Sequence, residues 1–148
     1  MKLKQLTATC ILSCSYLFAS ISYASDWRRI NPDRYIDIND MHIVKDYHMA
    51  YWIWYEQDAD KLGDQAMAII RKTHKIYSHG ITAYEVDCYN KKMRVTDFCM
   101  YATDGSVILS ESNVGQQFSK VIPDSIGQAE FNYACQVYAD QTGSTKKK

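Results

Sequence analysis

The sequence lacks an excess of charge of either sign. Its 148 residues include 17 lysines and arginines and 17 aspartates and glutamates, so the formal net charge is zero. Without Lys2 and Lys4, which lie in a predicted leader, 15 basic residues remain against 17 acidic ones, a net charge of about −2. Nucleic-acid-binding domains are typically basic, so the composition gives no support to binding of DNA or RNA.

The sequence also lacks internal repeats, low-complexity linkers and, beyond the N-terminal leader, any apolar run long enough to span a membrane. Only 2 prolines and 6 glycines are present. Once the leader is removed, about 124 residues remain, enough for one domain with a hydrophobic core. We therefore predict a single domain.

No pattern typical of a metal centre is present. The imidazoles are His42, His48, His74 and His79. His74 and His79 lie five residues apart, a spacing that suits neither one helix face nor one strand face. A zinc site would need further ligands that the sequence does not place near them. We predict no metal ligands.

Two other motifs are equally incomplete. Asp58 and Asp60, followed by Gly63, resemble the start of a calcium loop, but Ile69 stands where such a loop needs glutamate. No local signature supports Cys99 as a nucleophile. We therefore predict a solvated acidic loop at Asp58, no cofactor, no catalytic residues and no enzymatic activity.

The N-terminus has the pattern of a secretory signal peptide. Lys2 and Lys4 precede the moderately apolar stretch Leu6–Ile21, and Ser22-Tyr23-Ala24 ends it with small residues at the cleavage positions. We predict a signal peptide over residues 1–24 and export to the periplasm, the outer membrane or the cell surface. Ile11-Leu12-Ser13-Cys14 loosely resembles a lipobox, so a second interpretation is lipidation at Cys14.

Three cysteines lie beyond the signal: Cys88, Cys99 and Cys135. Because an exported domain with an odd number of cysteines cannot pair all of them, we predict one disulfide and one free thiol. Ile81–Tyr89 and Met93–Tyr101 are predicted to form a hairpin with Cys88 opposite Met93. Cys99 would then lie on the order of 20 Å from Cys88, beyond the reach of a disulfide. The pairs Cys88–Cys135 and Cys99–Cys135 both remain.

A C-terminal helix is predicted after Pro123. Ser125 is a favourable N-cap, and Gln128, three residues later, completes a capping box. One stripe of the helix carries Phe131, Ala134, Cys135 and Tyr138. Cys135 is therefore expected to face the sheet. Residues 141–148, which end in Lys146-Lys147-Lys148, are predicted to be a disordered basic tail after a domain over residues 25–140.

Most of the remaining chain is predicted to form strands. The predicted fold is α+β, with a single antiparallel sheet of about five to six strands packed by the C-terminal helix and tied by a disulfide. The segments are Tyr35–Asp37, Met41–Lys45, His48–Glu56, Ile81–Tyr89, Met93–Tyr101 and Ser106–Ser110. Ser112–Ser119 is predicted to be a loop. Asp58–Thr73 is ambiguous, and its good helix formers favour a short helix begun by Asp64.

The strand with the densest aromatic content carries apolar residues on both faces. Tyr51, Ile53 and Tyr55 point to one face, and Trp52 and Trp54 point to the other. One interpretation is a core strand beneath the helix. The other is a surface that meets a partner, because Trp and Tyr are enriched at interfaces. Tyr51, Trp52 and Trp54 are the candidate partner surface.

Glu85 and Asp87 share one face of a predicted strand in which Tyr84, Val86 and Cys88 occupy the other. This alternation is typical of a strand with one apolar and one solvated face. We therefore expect the two carboxylates to form a polar outer face.

A set of motifs lies in order along the chain: Trp27, Tyr35–Asp37, the aromatic strand, Asp87-Cys88, Gly105, Ser110–Asn113, Gly115, Val121–Ser125 and Phe131–Cys135. In this order the sequence resembles the surface-adhesin protein E family of Gram-negative bacteria over about Trp27 to Cys135. The most specific part runs from Val107 to Cys135. Phe118 stands where the family usually has Trp, and Asp124 where it usually has Gly.

The resemblance implies a fold and a function. It implies an antiparallel sheet and a C-terminal helix joined by a disulfide between Cys88 and Cys135. It also implies a non-enzymatic, adhesin-like protein that binds protein partners, extending to host extracellular-matrix or serum proteins, and that can form a homodimer. The alternative is a soluble periplasmic protein of structural, stress or inhibitor type.

Overall fold

The computed structural model describes residues 25–56 and 62–144. The predicted signal peptide, the lipidation site at Cys14, the acidic residues Asp58 and Asp60 and the terminal lysines lie outside these ranges.

The described residues form one antiparallel sheet of eight strands and two helices. The strands are β1 (Trp27–Asn31), β2 (Arg34–Asp37), β3 (His42–Lys45), β4 (His48–Tyr55), β5 (Tyr77–Asp87), β6 (Lys92–Ala102), β7 (Val107–Ser112) and β8 (Ser119–Lys120). The helices are α1 (Asp64–Thr73) and α2 (Ile126–Thr142). The order is β1-β2-β4-β5-β6-β7, with β3 also paired to β4 and β8 to β6.

The predicted α+β class is confirmed, but the expected number of strands was too low. β1 was not predicted because Arg28 and Arg29 interrupt any apolar alternation. β8 has only two residues, both exposed, and lies at the end of a segment predicted to be a loop. Both strands exist because their backbones pair with β2 and β6, respectively. The partner of β1 is the strand that directly follows it, whereas the partner of β8 is distant in the sequence.

Strand β4 supplies the centre of the hydrophobic core. Met49, Tyr51 and Ile53 are fully buried and alternate with Trp52 and Trp54, as the sequence predicted. They pack with residues of β2, β5 and α2, namely Ile36, Val86, Phe131, Ala134 and Tyr138. The alternate residues of one sheet face and one stripe of α2 therefore form this core.

Helix α1 packs on the same face of the sheet as α2. Its Ile70 is buried with Met100, Ala102 and Ile108. Met100 lies opposite Gly80 in the sheet, and Gly80 lies opposite Tyr55. Tyr55 is two residues from Ile53 on β4, so Met100 and Ile53 are on the same face of the sheet. Helix α1 lies in the segment Asp58–Thr73, which the sequence left ambiguous between helix and strand. It begins at Asp64 and covers a second part of this face. We call it the helix face and the opposite one the open face.

The local signals for α2 are confirmed. The hydroxyl of Ser125 accepts a hydrogen bond from the backbone N–H of Gln128 at 3.1 Å. The Gln128 side chain accepts one from the backbone N–H of Asp124 at 2.7 Å, one residue before the position of an ideal capping box. Asp124 has a φ of 57°, a left-handed conformation that glycine adopts more easily.

Cys88 and Cys135 form a disulfide, with their Cα atoms 5.6 Å apart. The pairing implied by the family resemblance is therefore present. Cys99 is a free, half-buried thiol. The predicted hairpin register was wrong, because Met93 pairs with Val86 rather than Cys88. Cys99 nevertheless lies far along β6, opposite Ile81, which is why it does not reach Cys88.

A buried ion pair also joins α2 to the sheet. Arg34 on β2 donates to the carboxylate of Glu130 on α2 at 3.0 Å. Glu130 is only 1% exposed. Burial raises the pKa of this carboxyl, and the Arg34 charge and hydrogen bond limit the rise. Removing only one partner of this ion pair is therefore expected to lower the stability of the fold.

We expect loss of the disulfide to destabilise the fold strongly. Replacing Cys88 and Cys135 by serine opens a loop with a sequence separation of 47 residues. The chain-entropy relation gives a loss of about 4 kcal/mol in the free energy of unfolding, measured by urea denaturation. The matched control is Cys99→Ser, which should unfold like the wild type. An equal loss in that control would contradict the assignment.

We expect Arg34→Met to lower the free energy of unfolding by about 3–5 kcal/mol at neutral pH, because it leaves the Glu130 carboxylate buried without its partner. The raised pKa of Glu130 lets the folded variant take up a proton before the unfolded chain does. The variant should therefore become more stable as the pH falls from 7 towards about 4.

The double variant Arg34→Met/Glu130→Met is the control for this ion pair. It removes both charges and should recover most of the stability at neutral pH. A double variant as unstable as Arg34→Met would show that the loss comes from packing of Arg34 rather than from the stranded carboxylate. Equilibrium unfolding in urea across the pH range measures all three proteins.

Candidate functional site

The open face carries the aromatic residues that alternate with the core. Trp52 and Trp54 lie there and are half-buried, although no helix among the described residues covers them. Tyr51 is different, because it is 1% exposed and its ring stacks on Tyr84 in the core, 5.7 Å away. The surface expected from the sequence therefore cannot include Tyr51, whose side chain points to the helix face.

An aromatic row crosses this face from strand to strand. It consists of Trp27, Tyr35, Trp54, His79 and Tyr101. The ring of Trp54 lies 4.7 Å from Tyr35, 6.4 Å from Trp27 and 5.6 Å from His79. His79 in turn stacks on Tyr101 at 4.9 Å. These contacts shield each ring partly from water without a covering layer.

Sequence reasoning identified only one member of this row. The others lie on four different strands, and their meeting depends on the pairing of Tyr35 with Trp54 and of His79 with Tyr101. Burial lowers the pKa of His79, an effect that Glu56 opposes. A hydrogen bond with the Cys99 thiol raises the pKa of Tyr101. All 3 tryptophans of the chain lie on the open face.

A groove of about 590 Å³ lies beside the row. Trp52, Ile81 and Cys99 line its floor, Asp37 and Asp40 one side. Tyr101, Val107 and Ser110 line the other side. Its volume lies in the range of ligand pockets, and its lining is mainly apolar with a few polar groups.

A charged cluster occupies the open face where β4 begins. His48 Nδ1 lies 2.7 Å from a carboxylate oxygen of Glu85, and Arg94 Nε donates to the other oxygen at 2.9 Å. His48 Nε2 lies 3.6 Å from Asp87. The ring of Phe118 covers both side chains, 5.3 Å from the His48 ring and 4.9 Å from the Arg94 guanidinium.

The expectation of a solvated face at Glu85 and Asp87 was wrong. Both are buried, at 5% and 8% exposure. Burial tends to raise the pKa of Glu85, but hydrogen bonds from Arg94 and His48 outweigh it and hold the pKa below its usual value. The pKa of Asp87 is lowered in the same way, mainly by hydrogen bonds from Asn90. The carboxylates are buried because His48, Arg94 and Phe118 surround them.

The structure does not assemble the other chemical candidates into a site. His42 bonds to the Asp40 carbonyl at 2.9 Å on an exposed strand, and His74 ends α1. Over residues 25–56 and 62–144, no group of three or more His, Cys, Asp or Glu side chains is placed to hold a metal ion. The charged cluster satisfies its own hydrogen bonds, so the groove and the aromatic row are the better candidate for binding.

Comparison with known proteins agrees with this architecture. The family model for surface-adhesin protein E matches residues 22–136, which include both bonded cysteines and the whole aromatic row. The chain belongs to the surface-adhesin protein E family. Membership in this family makes it an adhesin-like surface protein of the cell envelope.

A solved structure, that of Haemophilus influenzae protein E, shares the fold. The match covers 82% of this chain and 89% of that chain, with a TM-score of 0.51 and 14% sequence identity. At that identity the likeness shows the fold alone. No curated protein matches this member of the surface-adhesin protein E family. Among the described residues, no helix is long and apolar enough to cross a membrane.

We expect Glu85→Gln to lower the free energy of unfolding by about 1–3 kcal/mol at neutral pH, because His48 and Arg94 lose a buried charged partner. The pKa of Glu85 is depressed in the folded state. Its contribution is therefore fully present above the usual carboxyl value of about 4 and is lost as the pH falls through the lower folded value.

The wild type and Glu85→Gln should accordingly converge in acid. Urea unfolding between neutral pH and about pH 3 measures the difference. The control is Glu111→Gln at the exposed end of β7, which should not change stability at neutral pH. A gap between Glu85→Gln and wild type that stays constant into acid would rule out the electrostatic explanation.

Proposed function

We propose that this protein is an exported envelope protein that binds protein partners through the open face of its sheet, without enzymatic activity. The observation that carries the proposal is the aromatic row. Rings from five strands lie half-buried on a face that no described helix covers. Large, rigid aromatic side chains are the residues that contribute most to protein interfaces.

The dimensions of the row suit a protein partner. At about 4.8 Å between neighbouring strands, a row from β1 to β6 extends for roughly 20 Å. That length matches the core of a standard protein interface rather than the site of one small metabolite. Flanking polar side chains such as Asp40 and Ser110 would form part of a rim.

Export is supported by two independent features. The pattern of residues 1–24 is that of a signal peptide. The Cys88–Cys135 disulfide is of the kind that forms and persists in oxidising compartments such as the periplasm and the cell surface. Membership in a family of surface adhesins is consistent with both.

The partners that we propose are host extracellular-matrix or serum proteins. This part of the proposal rests on the family, whose description is that of a surface adhesin. Homodimer formation, which the resemblance also implied, is a further property to be tested on the purified protein.

We expect the mature protein to bind vitronectin or laminin saturably in a solid-phase assay, and Trp52→Ala and Trp54→Ala each to weaken binding by at least about tenfold. Central interface tryptophans commonly contribute this much or more. The matched control is Ile122→Ala, which truncates a 71% exposed apolar residue away from the aromatic row. It should bind like the wild type.

Urea unfolding of each variant separates loss of binding from loss of folding. Absence of saturable binding by the wild type would exclude these two partners, and a purely periplasmic pool without lipid would favour the soluble periplasmic alternative. Unchanged binding by both folded tryptophan variants would exclude the open face as the binding surface.

A further inference from the structure

The groove beside Trp52 combines aromatic rings with carboxylates. Trp52 lies on its floor, Trp27 on its edge, and Asp37 and Asp40 on one side. Among the described residues, those that line it include no lysine or arginine. A groove with this composition is electrostatically complementary to a cation.

A third carboxylate lies on the same face. Asp97 pairs with Ala83, which pairs with Trp52, so the three side chains project from neighbouring strands to the open face. Asp40 is exposed and Asp97 is half-buried. In the described part of the chain no salt bridge neutralises either of them.

Asp37 contributes a negative charge to the groove and also has a structural role. It is 5% exposed, and one of its carboxylate oxygens accepts hydrogen bonds from the backbone N–H groups of Asp26 and Asn39, both at 3.1 Å. It therefore fixes the side of the groove, while its negative charge adds to that of Asp40.

The basic residues near the groove are occupied elsewhere. Arg29 donates to the carbonyls of Asn31 and Pro32 in the β1–β2 turn. Arg28 lies opposite Ile36 in the sheet, so its side chain is on the helix face, away from the groove. The ammonium of Lys75 donates to the carbonyl of Val107, a residue on the far side of the groove, at 2.7 Å. Arg29 and Lys75 keep their positive charges, but neither is bonded to a carboxylate on the acidic side beside Trp52.

We propose that this groove receives lysine or arginine side chains from a basic segment of the partner protein. Cations are attracted to the faces of aromatic rings, and most strongly to Trp. The aliphatic stems of Lys and Arg would pack on the rings while their charged ends reach Asp40 and Asp97. The inference rests on the proposed function, because it names the chemistry of the partner that the open face binds.

The charges also argue against other occupants. A second copy of this chain docked face to face would bring the carboxylates of both grooves together, and like charges at an interface are unfavourable. A nucleic acid or sulfated glycan would be repelled for the same reason. A basic segment is the occupant that satisfies the aromatic and the acidic parts of the groove together.

The test uses the purified mature protein and synthetic peptides. One peptide alternates Lys and Arg with Gly and Ser, and its counterpart carries Glu at the basic positions. All 3 tryptophans lie on the open face, so their fluorescence reports directly on occupancy of this face. We expect a saturable change with the basic peptide only, weakening as salt rises from about 0.05 M to about 0.5 M.

Asp40→Asn/Asp97→Asn should weaken binding of the basic peptide by about threefold to tenfold, as expected for the loss of two charge pairs on the open face. The matched control, Glu111→Gln/Asp140→Asn, removes the same number of charges outside the open face: Glu111 is paired opposite Phe98 and Asp140 lies on α2. It should bind the peptide like the wild type. That result would show that the change in net charge does not cause the weaker binding of Asp40→Asn/Asp97→Asn.

The outcomes separate the two proposals. If the basic peptide does not bind, or binds equally to Asp40→Asn/Asp97→Asn, while binding to a matrix or serum protein still requires Trp52, the inference is overturned and the proposed function stands. If matrix binding does not require Trp52 or Trp54, the proposed function fails whatever the peptide does. A dimer in light scattering that Trp52→Ala abolishes would assign the face to a second copy and also overturn the inference.

Discussion

The packing of α2 on one face of the sheet is the interaction on which the rest of the structure depends. Phe131 and Ala134 bury Met49, Tyr51 and Ile53, and the disulfide to Cys88 holds the helix in place. Because α1 packs on the same face, both described helices cover one side of the sheet and neither covers the other. The residues that alternate with the core must then stabilise the open face through contacts with one another.

The two faces bury charge in different ways. On the helix face, Glu130 meets Arg34 across the layer, so the ion pair couples the helix to the sheet. On the open face, Glu85 meets His48 and Arg94 within the sheet, and Phe118 covers the group. In both arrangements the charged side chains are bonded to one another. The carboxylates near Trp52 lie outside these arrangements, which is why the groove retains an electrostatic preference.

Local signals were reliable where the physical cause is local. Ser125 and Gln128 lie three residues apart, so the cap of α2 depends on little else. The alternation of β4 placed Ile53 and Trp54 on opposite faces correctly. The burial of Glu85 was missed because its hydrogen-bond partners, His48 and Arg94, come from neighbouring strands, and a solvated strand shows the same alternation. Tyr51 was misplaced for a related reason, since alternation separates two faces without saying which one is covered.

The sequence by itself determined the class of fold, the position of α2 and, through the resemblance it carries, the family and the pairing of Cys88 with Cys135. Only the tertiary structure decided which face of β4 is open, which rings join Trp54 in a row and which carboxylates form no salt bridge among the described residues. The physical reason is that periodicity and capping act within a few residues of one segment. Cross-strand contacts and the placement of both helices on one side depend on how distant segments pair.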